Sequence, residues 1–62
     1  MIIFEQGIWR VSKTGRACTV VRAGKGVAIL SSKFIDDAEI SFVTTRDYLE
    51  IRLSGQAIMR IP

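Results

Sequence analysis

Histidine is absent from this chain, cysteine occurs once as Cys18, and proline occurs once as Pro62. Without histidine no Ser–His or Cys–His pair can form, so the usual routes to an activated nucleophile are closed. A structural zinc site needs four ligands drawn mainly from cysteine and histidine, and one chain cannot assemble them here. A lone cysteine also rules out an internal disulfide. Yet 62 residues form a core that hides only about 60% of the surface the unfolded chain exposes. With disulfide and metal both excluded, oligomerisation is the supplement left to so small a core. Hydrophobic residues make up 48% of the chain, and its mean hydropathy is +0.28. That is high for so little interior, and some apolar surface is expected to meet a partner.

Long apolar runs are missing too. Met1-Ile2-Ile3-Phe4 is followed at once by Glu5, with no basic segment and no apolar stretch of secretory length. No run approaches the ~20 apolar residues of a spanning helix. An unpaired cysteine suits a reducing compartment. The expectation is therefore a cytoplasmic protein without a membrane anchor.

What the chain does have is alternation. In Tyr48-Leu49-Glu50-Ile51-Arg52-Leu53 the residues Leu49, Ile51 and Leu53 fall on one face and Tyr48, Glu50 and Arg52 on the other, the period of a strand. Residues 38–44 repeat the pattern with Ile40 and Phe42 inward, and Thr45-Arg46-Asp47 is short enough for a hairpin loop. Ser54-Gly55 makes a second turn, after which Ala57, Met59 and Ile61 continue on an inward face. Residues 38–61 thus read as a three-stranded meander. The first half reads as strands at 2–5, 8–13, 16–23 and 27–31, with glycine in every break: Gln6-Gly7, Thr14-Gly15 and Gly24-Lys25-Gly26. Thr19, Val20, Val21, Val27 and Ile29 suit a pleated surface. Helix has one place, a turn at 32–37 capped by Ser31 or Ser32. The fold class that follows is all-β, one domain over residues 1–62. It is a small barrel or packed-sheet meander of about six or seven short strands, with at most one short helical turn.

Charge is divided unevenly along the chain. Residues 1–34 hold six cations against Glu5 alone, a balance of +5, while residues 35–62 carry a balance of −2. Residues 19–26 approach a phosphate-binding loop but have Thr19 where glycine is required and Gly26 where serine or threonine is required. Asp36, Asp37 and Glu39 lack the liganding loop of a calcium site. Cys18, inside Ala17-Cys18-Thr19-Val20-Val21, reads as a small buried hydrophobe. No enzyme, cofactor or metal is expected. The sequence predicts a small non-enzymatic binding protein, self-associating, with Arg10, Lys13, Arg16, Arg22 and Lys25 contacting nucleic acid or another anionic partner. Trp9, beside Arg10, is either a core anchor or a stacking platform on that surface. The alternative function is a protein–protein interaction module, such as a small inhibitor or assembly subunit, docking through exposed apolar surface. The edges expected to join copies are residues 2–5 and 57–61.

Overall fold

A computed structural model describes residues 1–31 and 39–62. Among them are seven strands and no helix: β1 (Ile2–Gln6), β2 (Trp9–Thr14), β3 (Ala17–Arg22), β4 (Lys25–Ser31), β5 (Ile40–Thr44), β6 (Leu49–Leu53) and β7 (Gln56–Ile61). The helical turn expected at 32–37 lies outside the described residues. β1 to β4 form one antiparallel meander in chain order, and β5 to β7 form a second. The two sheets pack face to face without closing into a barrel, in a body 26 × 26 × 15 Å across.

Short turns dictate this topology, because a two-residue loop allows only an antiparallel return. In β3–β4 and β6–β7 both loop residues have positive φ: Ala23 at 50° with Gly24 at 82°, and Ser54 at 53° with Gly55 at 81°. Positive φ at both positions matches the right-handed twist of the flanking strands. The β3–β4 turn corrects the expected break at 24–26. Ala23 takes the strained position, and Lys25 and Gly26 belong to β4.

Alternation then builds the core from both sheets. Trp9 and Val11 of β2 and Cys18 and Val20 of β3 face Leu49 and Ile51 of β6 and Ile61 of β7, all buried. Phe4 of β1 and Phe42 of β5 close one side, with ring centroids 4.9 Å apart. The indole N–H of Trp9 donates to the Thr45 carbonyl at 3.0 Å, so the largest buried side chain also ties the sheets together by a polar bond.

β7 departs from the simple pattern. Ile51 opposes Met59 and Arg52 opposes Ala57, leaving Ile58 as an unpaired extra residue. Such a bulge shifts the facing of the residues before it. Ala57 consequently stands opposite Arg52 on the outer face, contrary to the inward place expected of it, and Met59 is exposed at the sheet edge.

Candidate binding surfaces

The predicted cations do not share one surface. Register places Trp9, Arg22 and Lys25 side by side at one end of the larger sheet, with Lys13 opposite Cys18 toward the other end. Arg16 occupies the β2–β3 turn beyond Lys13. At ~3.3 Å per residue along a strand, the two groups stand roughly 13–20 Å apart. Arg10 lies on the outer face, where its Nε meets a Glu5 carboxylate oxygen at 2.7 Å. Both side chains of that pair are about half exposed, so the contact orients Arg10 more than it stabilises the fold.

Trp9 is the core anchor of the two uses open to it. It is 2% exposed, and the Arg22 guanidinium carbon sits 5.2 Å from its ring centroid. The same guanidinium donates from Nη2 to the Arg46 carbonyl at 2.6 Å. A base could not stack on this indole without displacing Arg22, which corrects the stacking role considered for Trp9. Regular alternation puts Arg22 on the same face as Cys18 and Val20. That face ends in a cation lying over the core aromatic, where its charge is met by the ring and a carbonyl rather than by solvent alone. Arg22, Lys25 and the Arg46 loop form a small basic end drawn from both sheets.

A shallow cavity of about 210 Å³ opens beside this end, lined by Glu5, Ile8, Trp9, Arg10, Val21 and Ala23. Its walls come from the β1–β2 and β3–β4 turns, which are joined by the Ala23 N–H donating to the Ile8 carbonyl at 2.7 Å. The Glu5–Arg10 pair at its wall satisfies its own charges.

On the outer face of the smaller sheet the chain places an ionic network that its sequence does not reveal. Glu50 is 3% exposed although it points away from the core. Arg52 Nε donates to one of its carboxylate oxygens at 2.7 Å and Arg60 Nε to the other at 2.9 Å. The Arg60 guanidinium also lies 4.7 Å from the Tyr48 ring centroid. These hydrogen bonds, Arg52 first and Arg60 second, hold the Glu50 carboxyl below the usual carboxylate range against the opposing effect of burial. Glu50 in turn raises Arg60. Tyr48, Glu50 and Arg52 are legible as one polar face. The closing residue, Arg60, arrives from a different strand through register, beyond the reach of local periodicity.

Among the described residues no group of three or more His, Cys, Asp or Glu could hold a metal ion, and no helix is long and apolar enough to cross a membrane. Comparison with family models, with curated proteins and with solved structures gives no match.

Proposed function

We propose that this domain is a non-enzymatic protein-interaction module that self-associates. The observation that carries the reading is the distribution of its apolar side chains. Among the described residues seven make the buried core, while Met1, Ile2, Ile8, Val27, Ile29, Val43, Ile58 and Met59 are exposed, Ile29 by 76%. A domain with this many large apolar side chains at its surface gains stability when a partner covers them. Open sheets add unpaired backbone groups at their edges.

An anionic partner, nucleic acid included, is the second reading, favoured by the basic end of Arg22, Lys25 and Arg46. Sedimentation across protein concentration separates the two. The first reading expects a mass above the 6.9 kDa of one chain and an association little affected by salt. A monomer at every concentration that binds DNA or RNA with a steep salt slope would transfer the function to the second reading. In that case Arg22→Gln and Lys25→Gln would each reduce the slope by about one unit, and Lys13→Gln and Arg16→Gln would reduce it less.

A further inference from the structure

Three of the four outer strands carry an extra residue that interrupts their pairing: Ile3 in β1, Val27 in β4 and Ile58 in β7. Bulges twist an edge away from flat addition of another strand and are one of the means by which proteins protect edges. β5 has none. Its register with β6 runs unbroken from Ile40 opposite Leu53 to Thr44 opposite Leu49. Its sequence, Ile40-Ser41-Phe42-Val43-Thr44, contains no charge, glycine or proline. Among the described residues it pairs with β6 alone.

The direction of its backbone groups follows from the bonds at its two ends. Ser54 N–H donates to the Glu39 carbonyl at 3.1 Å, and Thr45 N–H donates to the Tyr48 carbonyl at 2.9 Å. Residues that exchange bonds alternate in an antiparallel pair, so 39, 41, 43 and 45 direct their backbone groups at β6. The N–H and C=O groups of Ile40, Phe42 and Thr44 therefore point out from the edge away from β6. This set is self-complementary: in a second chain run antiparallel about a two-fold axis at Phe42, Phe42 meets its own copy and Ile40 meets Thr44.

We propose that the β5 edge joins two copies of this chain into one continuous six-stranded sheet, with Phe42 on the two-fold axis. This deepens the self-association reading and rests on it. Side chains support a second copy as the occupant. Ser41 and Val43, the outward pair, would stand opposite each other across the axis in the closely spaced positions of the ladder, and no like charges meet. Phe4 and Phe42 pack against the core yet are only partly buried, and the second copy brings its own aromatic pair beside them.

The register gives a charge-swap test. Ser41→Glu puts a carboxylate opposite Arg52 within the chain, and Val43→Lys puts an ammonium opposite Glu50, so each variant is electrostatically compatible with its own fold. In a dimer of either variant the new charge meets its symmetry mate diagonally across the axis. Each variant alone is expected to dissociate about two- to fivefold more readily than the parent chain. Mixed, they place the new carboxylate of one chain directly opposite the new ammonium of the other, and a one-to-one heterodimer forms. Sedimentation reads both states, and circular dichroism confirms that each variant keeps its sheet. Single variants that associate as tightly as the parent would overturn the β5 interface while leaving self-association intact. Variants that dissociate but do not recombine would overturn the Phe42 register, and a parent chain that stays monomeric would overturn both readings.

Discussion

The two sheets are built alike, as antiparallel meanders with tight turns, and they differ in what they turn outward. Across the larger sheet one outer row runs Ile2, Ser12, Thr19, Ile29, an uncharged line ending in a residue that is largely exposed. Across the smaller sheet the corresponding row runs Val43, Glu50, Arg60, with Arg52 in the row beside it. The chain segment with excess positive charge thus builds an outer face with much apolar surface, and the segment with excess negative charge builds one that presents arginines. Net charge along a sequence does not become net charge on a surface. Turns, strand ends and ion pairs intervene, as Arg16, Arg22 and Arg10 each illustrate.

If the sheets depend on one another, the side chain that joins them should matter most. A domain of this size is stable by only about 3–9 kcal/mol, and removing a buried Trp side chain costs about 3–5 kcal/mol. Trp9→Ala is therefore expected to remove at least about a third of the stability, as read by a urea titration with circular dichroism. Trp9→Phe retains most of the apolar volume and loses the bond to the Thr45 carbonyl, a loss of about 1 kcal/mol. Equal effects of the two changes would mean that the polar tie, not the packing, holds the sheets together.

The ionic network of the smaller sheet ties the stability of the fold to the ionisation of Glu50. Its folded state lowers the Glu50 pKa, so the stabilisation is fully present above the unfolded-state value near ~4.3 and is lost as pH falls through the lower folded value. Urea midpoints should decline on acidification in that range, and Glu50→Gln should be less stable at neutral pH with a flatter acid decline. An unchanged acid profile in the Gln variant would show that Glu50 does not carry the decline.

The regular parts of the fold are readable from sequence because their causes are local. Leu49, Ile51 and Leu53 alternate over an uninterrupted strand, and glycine marks the turns at residues 7, 15, 24 and 55. Bulges are not readable in this way: nothing in Gln56-Ala57-Ile58-Met59 announces that Ile58 is the extra residue, since the shift is set by pairing with β6. The candidate site is less legible still. Trp9 beside Arg10 in sequence suggests a cationic aromatic surface, whereas the guanidinium that reaches the ring belongs to Arg22, its partner in register on β3. Cross-strand partners decide where charge goes, and strand register is a property of the assembled sheet.

The smallest difference between the sheets lies in their matching turns. Ala23-Gly24 and Ser54-Gly55 share the same signs of φ, with a residue bearing a Cβ in the first position of each. A left-handed conformation costs such a residue roughly 1–2 kcal/mol, whereas glycine adopts it freely. Glycine also gives the unfolded chain more freedom, which offsets about 0.4–1 kcal/mol of any gain. Ala23 and Ser54 are both exposed, so backbone preference should dominate over packing in these turns. Ala23→Gly and Ser54→Gly are each expected to raise stability by about 0.5 kcal/mol, read as parallel shifts of the urea midpoint with unchanged slope. Ala23 carries one further role, since its N–H donates to the Ile8 carbonyl of the neighbouring turn. Glycine keeps that donor, and the two changes should therefore match. A gain at Ser54 with a loss at Ala23 would show that the Ala23 methyl, at the wall of the cavity beside Ile8, contributes packing that outweighs its strain.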